Sequence, residues 1–172
     1  MTQHTARVTL IVIVALAAML PARDARAQLF EPSGKNTLRA LPGVEVLVEP
    51  LEPGLARSGV AAATIAADVS AQLRAGGITI YPSQTQNPSP AKAYLYLQVS
   101  GFQVPRQGYA IAVQAHVRQS VRSLVTESTI VNAMTWDQSI VFLAPTDRPA
   151  AAVKREVQDL VEQFVQDWNA TR

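Results

Sequence analysis

Apolar and more polar side chains alternate along residues 93–121, and the pattern predicts one long antiparallel β-hairpin. In the first arm Leu95, Leu97 and Val99 share one side, the period of a strand with one buried face. The second arm repeats it, with Tyr109, Ile111, Val113, Ala115 and Val117 opposed by Gln114, His116 and Arg118. Arg106, Gln107 and Gly108 supply the expected turn. Beyond Gly101 the apolar positions become Phe102 and Val104, which are out of phase with Leu95–Leu97–Val99. One extra residue at Ser100–Gly101, a β-bulge, restores the phase. Val104 then opposes Tyr109 and Phe102 opposes Ile111, while Val99 meets Val113, Leu97 meets Ala115 and Leu95 meets Val117. A one-residue slip would turn that apolar set toward water.

The same register places Tyr96 beside His116 and Tyr94 beside Arg118 on the opposite face, with Arg122 continuing it. Such cross-strand pairs contribute roughly 0.2–1 kcal/mol each, and an arginine over a tyrosine ring adds a cation–π attraction. Tyr94, Tyr96, His116, Arg118 and Arg122 are therefore the candidate binding residues. The plainer alternative is an outer sheet face whose amphipathic side chains are half exposed or covered by a helix.

Elsewhere the pattern changes period. Residues 43–49 alternate through Val44, Val46 and Val48 and predict a first strand, stopped by Pro50 and Pro53–Gly54. From about residue 57 to 75 Ile65, Val69 and Leu73 recur every four positions. They predict a helix with Ser58 as its N-cap and Gly76–Gly77 as its stop. Residues 78–81 read as a short strand, and 82–92, with three prolines, as a mobile surface loop. Residues 126–128 read as a turn. A fourth long strand is expected over 129–141, irregular near Asp137. Thr146 or Asp147 should cap a last helix with Pro149 in its first turn and a stripe of Val153, Val157, Leu160, Val161, Phe164 and Trp168. The order β-α-β-β-β-β-α predicts an α+β two-layer sandwich, a mainly antiparallel sheet with two helices on one face.

The amino terminus has a different character. Arg7 precedes an apolar run from Val8 to Leu20, Pro21 breaks it, and Ala25-Arg26-Ala27 follows. These are the parts of a secretory signal peptide, too short to span a bilayer comfortably, so residues 1–27 are expected to be removed. An uncleaved anchor is the alternative. Residues 28–42, mixing Pro, Ser, Gly, Lys and Asn, read as an extended leader, and 43–172 as a single domain. Of 15 basic and 13 acidic residues, Arg7, Arg23, Arg26 and Asp24 precede Gln28, which leaves 12 of each. The basicity belongs to the export signal and gives no support for nucleic-acid binding. The alanine- and arginine-rich, lysine-poor usage points to a GC-rich bacterium, so the exported chain is expected in the periplasm or secreted.

The chain has no cysteine. That excludes a disulfide framework, a thiol nucleophile and a lipid-modified terminus, and makes any membrane association indirect. Past the signal the one histidine is His116, without acidic neighbours in a metal-like spacing. No Gly-x-Ser-x-Gly or phosphate-loop motif is present. Neither an enzyme, a metal nor a cofactor is expected.

In element order the chain resembles a group of small bacterial envelope domains, among them the amino-terminal domain of TolB proteins and the lipopolysaccharide-assembly lipoprotein LptE. The shared features are the strand through Val44–Val48, the helix running into Gly76-Gly77-Ile78-Thr79-Ile80, the long hairpin and the final amphipathic helix. The missing lipid-attachment cysteine departs from the lipoprotein members. The resemblance implies an envelope-associated binding or adaptor role and carries over no individual residue. The expectation is an exported, non-enzymatic adaptor that engages an envelope protein through the free sheet face or an edge strand. Other readings are a carrier of a small apolar ligand held between sheet and helices, an enzyme of unrecognised geometry, and a subunit completing a larger sheet.

Overall fold

The computed structural model describes residues 34–172. The expected signal segment, its cleavage after Ala27 and the first part of the expected leader lie outside the described residues. Four strands form one sheet in the order β1-β2-β3-β4: β1 Glu45–Val48, β2 Tyr94–Val104, β3 Gly108–Arg122 and β4 Thr129–Ala144. β2, β3 and β4 are antiparallel neighbours, whereas β1 runs parallel to β2. The short strand expected over 78–81 is reduced to a single parallel bridge between Val44 and Ile80. The Val44 N–H donates to the Thr79 carbonyl at 3.0 Å, and the Tyr81 N–H donates to the Val44 carbonyl at 2.9 Å. The pairing goes no further, and the next ordered piece is the 3-10 turn Gln84–Gln86.

The hairpin pairs without a bulge. Tyr94 faces Arg118, Tyr96 faces His116, Leu97 faces Ala115, Gly101 faces Ile111, and Val104 faces Gly108 in one unbroken register. The expected bulge at Ser100–Gly101 is therefore absent, and so are the expected Phe102–Ile111 and Val104–Tyr109 pairs. The turn lies one residue earlier, at 105–107, with Arg106 at φ 63° and the Gln107 N–H donating to the Val104 carbonyl at 3.1 Å. A turn drawn one residue late shifts the pairing by one, and only an inserted residue could then restore it. Gly101 has another cause. A Cβ there would lie 2.6 Å from the Ala110 carbonyl oxygen, so close backbone approach favours glycine. The irregularities sit in the β3–β4 pairing instead, where the register shifts between Val117 and Arg118 and between Gln119 and Val121 of β3. Asn132 adopts φ 57° at the second.

The helical segment after β1 is divided. α1, Pro53–Ala56, is a single turn with Pro at its start, and Gly59 at φ 90° ends the excursion. α2, Ala62–Ala75, then carries the expected stripe of Ile65, Val69 and Leu73 into the core. Ser58 is not its N-cap; its hydroxyl donates to the Leu55 carbonyl at 2.6 Å. α3, Pro149–Asn169, begins at Pro149 after Arg148, so neither Thr146 nor Asp147 caps it. Val153, Val157, Val161, Phe164 and Trp168 are buried as their spacing requires. α2 packs by β1, and α3 packs on β3 and β4. Asp68 pairs with Lys154 at 2.9 Å, and the Gln72 amide donates to the Gln158 carbonyl at 2.9 Å. Contacts advance together along both helices, so α2 and α3 run in the same direction. The fold is the expected α+β two-layer arrangement.

Residues 34–41, expected to be leader, belong to the domain. A 3-10 turn, Lys35–Leu38, places Leu38 in the core, and Leu41 is buried beyond it. Lys35 reaches Asp167 of α3 at 3.0 Å, and Gln119 donates to Thr135 at 2.8 Å and to the Thr37 carbonyl at 3.4 Å. The expected mobile loop is also fastened. The Asn87 amide is buried and donates to the Ala93 carbonyl at 3.3 Å, and the Ser120 N–H donates to Ala91 at 2.7 Å.

The carboxylate of Asp167 joins three parts of the chain. It accepts from the Trp136 indole N–H at 2.9 Å and from the Gln163 amide at 3.1 Å, besides meeting Lys35. Replacing it with alanine leaves a buried indole N–H unpaired. Asp167→Ala should lower unfolding free energy by about 1–3 kcal/mol, measured by urea denaturation. A change within the error of the midpoint would show that these contacts add nothing.

Candidate functional site

The helices cover one face of the sheet and leave the other uncovered. Alternation assigns the uncovered face to Tyr94, Tyr96, Gln98, Ser100 and Phe102 on β2, and to Ala110, Ala112, Gln114, His116 and Arg118 on β3. On β4 it takes Asp137, Ser139, Val141 and Leu143, and on β1 Glu45 and Leu47. One half of this face is polar and aromatic, the other apolar.

In the polar half the expected neighbours do meet. Tyr96 stacks on His116 with ring centroids 5.0 Å apart and planes 18° off parallel. Tyr94 meets Tyr96 edge-on at 6.5 Å, and the Arg118 guanidinium lies 5.2 Å from the Tyr96 ring centre. Their accessibility differs from a uniform recognition surface. His116 is 6% exposed and Tyr94 is also buried, its hydroxyl donating to the Asn132 side-chain oxygen at 3.5 Å. Tyr96 and Arg118 are half-buried, so these two carry what the cluster presents to solvent. Arg122 stands apart at the far end of β3, exposed and paired with Glu127 at 3.6 Å.

Burial sets the electrostatics here. Loss of water around the ring pushes the Tyr96 phenol above its usual value, reinforced by the adjacent Glu49 carboxylate and opposed by Arg118. Burial also holds the His116 imidazole below its ordinary 6.5; Arg118 adds to that, while Asp137 and Glu49 pull the other way. Glu49 Oε2, His116 Nε2 and Arg118 Nε are buried without a hydrogen-bond partner in the protein. Each unpaired atom of this kind costs free energy until something supplies its bond. No group of three or more acidic or histidine side chains is placed to hold a metal ion among the described residues.

The apolar half was not foreseen. Phe102 is 68% exposed, Val141 76% and Leu143 53%. They lie on β2 and β4, on either side of β3, with Phe102 paired to Ala110 and Ala110 to Leu143, and Ala112 paired to Val141. The inserted bulge turned Phe102 inward and so hid the patch. The available signal was simpler: Phe102 keeps the parity of Tyr94 and Tyr96, and Val141 and Leu143 alternate with Ile140 and Phe142.

No protein-family model matches the chain, and a comparison with curated proteins finds no match. Among the described residues no helix is long and apolar enough to cross a membrane.

The lowered His116 value has a defined consequence. Between its folded and unfolded pKa values the unfolded chain holds the proton more readily. The contribution of neutral His116 to stability is therefore complete above about pH 6.5 and is lost as pH falls through the folded value. His116→Gln should flatten this part of the dependence of the urea midpoint on pH. An unaltered slope in the variant would assign the acid sensitivity to the carboxylates instead.

Proposed function

We propose that the protein is an exported, non-enzymatic adaptor of the bacterial cell envelope that binds another protein across the helix-free side of its sheet. The observation that carries this reading is the patch of Phe102 on β2 and Val141 and Leu143 on β4, exposed on either side of Ala110 and Ala112 of β3. Contiguous exposed apolar surface of this kind, bordered by polar groups, is characteristic of interaction sites. The polar half supplies the other part of an interface. Tyr96 and Arg118, the two members of the cluster that reach solvent, are residue types enriched in binding hot spots. The signal-like residues 1–27 support export, and the dispersion of titratable side chains supports binding rather than catalysis.

The test is crosslinking and mass spectrometry of the tagged protein in its native envelope. A Phe102→Ser, Leu143→Ser variant should lose capture of its partner by tenfold or more while its urea midpoint stays near that of the parent, because both side chains are exposed. Equal capture by parent and variant would remove the patch from the interface.

A second reading, a carrier of a small apolar molecule, draws on a groove of about 210 Å³ lined by Val60, Ile65, Val69, Val153 and Val157. The groove lies between α2 and α3 rather than between sheet and helices. A carrier would enhance the fluorescence of an apolar dye, and Ile65→Trp, which fills the groove, should abolish the enhancement. Dye response unchanged by Ile65→Trp would locate dye binding elsewhere.

A further inference from the structure

β4 is the outer strand of the sheet, and its two halves differ. Over residues 129–135 the two register shifts twist it, and the Thr135 carbonyl is taken by the Thr37 hydroxyl at 3.2 Å. Over residues 136–144 the ladder to β3 is uninterrupted; Gly34 lies against Thr135 and Trp136 at the start of this stretch, and beyond it no strand among the described residues pairs with the other edge. A strand with one neighbour leaves about half its backbone N–H and C=O groups pointing outward. The usual protections of such an edge are missing here. Residues 136–144 contain no proline, lysine or arginine, and Asp137 is their one charge. Ile130, Val131, Met134, Val141 and Leu143, all large and exposed, lie on this strand.

An edge of this kind is satisfied by another extended, proline-free, largely apolar strand. Residues 136–144 are themselves such a strand, present wherever the edge is present. We infer that this segment pairs antiparallel with the same segment of a second copy, about a two-fold axis at Ile140, joining two four-stranded sheets into one of eight.

Charge and register select this arrangement. About Ile140, Asp137 faces Leu143 of the second copy, Ser139 faces Val141 and Trp136 faces Ala144, so the two carboxylates never meet. A parallel pairing in register would set Asp137 against Asp137, which is destabilising. Antiparallel pairing about an axis normal to the sheet keeps both helix layers on one side, matches side chains of the same face, and makes a self-complementary, closed contact. It also brings the two Val141–Leu143 patches together into a single surface. The inference goes beyond the adaptor reading and stands on the strand edge alone.

Sedimentation of the full chain over a concentration series should show a monomer–dimer equilibrium. Val141→Lys, placing cations across the axis, should weaken association at least tenfold without shifting the urea midpoint appreciably. The absence of native cysteine allows a clean scan with Ser139→Cys, Ile140→Cys and Val141→Cys, and with Gln114→Cys on β3 as control. Disulfide-linked dimer should peak at position 140, where the two Cα atoms are within bonding reach, and be absent at 114. A monomer at every concentration overturns the inference, as does a dimer that crosslinks no better at 139–141 than at 114. A monomer that still captures an envelope protein overturns the second copy and spares the adaptor. A dimer that captures nothing does the reverse.

Discussion

One buried carboxylate holds the domain together at the point where its parts would otherwise separate. Asp167 lies on the last helix, faces the sheet through the Trp136 indole, and reaches the opening turn through Lys35. A charge in that position needs several bonds to offset its lost hydration, and it receives them from two segments distant in sequence and from Gln163 one turn earlier on its own helix. Trp136, Phe164 and Trp168 fill the space around it with edge-on and tilted ring contacts at 4.9 and 5.7 Å. The ring packing supplies the apolar contact, and the carboxylate fixes which way the indole points.

With that side of the sheet committed to the core, the chemistry of the other side follows from strand alternation alone. Every second residue of β2, β3 and β4 must face away from the helices. The chain places tyrosine, histidine and arginine there toward one end and phenylalanine, valine and leucine toward the other. The sheet's two boundaries are unequal as well. β1 has four residues and is flanked by Ile80, whereas β4 has sixteen and, among the described residues, no strand pairs with its outer edge. Exposed apolar side chains concentrate beside the longer boundary, which is why surface and edge together suggest association.

Much of this was legible from residue order. The stripes of α2 and α3, the inward set Leu95–Leu97–Val99 and the Tyr96–His116 and Tyr94–Arg118 pairs all follow from periodicity, which burial enforces directly. Turn position is a weaker signal. Pro105-Arg106-Gln107-Gly108 accepts two placements of the loop, and the wrong one required a bulge that inverted Phe102 and concealed the exposed patch. Asp167 was hidden for another reason. It lies at the margin of the apolar stripe of α3, where a carboxylate is ordinarily solvated, and only tertiary contact with Trp136 and Lys35 makes it internal. Leu38 and Leu41 likewise sit in a stretch too short and too irregular for any period to mark them as core.

The fastening of residues 34–41 bears on when the molecule can finish folding. Arg172 donates to the Leu41 carbonyl at 2.7 Å across 131 positions and lies over the Trp168 ring, and Lys35 waits on Asp167. Such distant closures are costly in chain entropy and slow the search for the native state. Until α3 has been synthesised, Leu38 and Leu41 have no completed interior to enter. The core can therefore close fully only once the last helix of the chain is available.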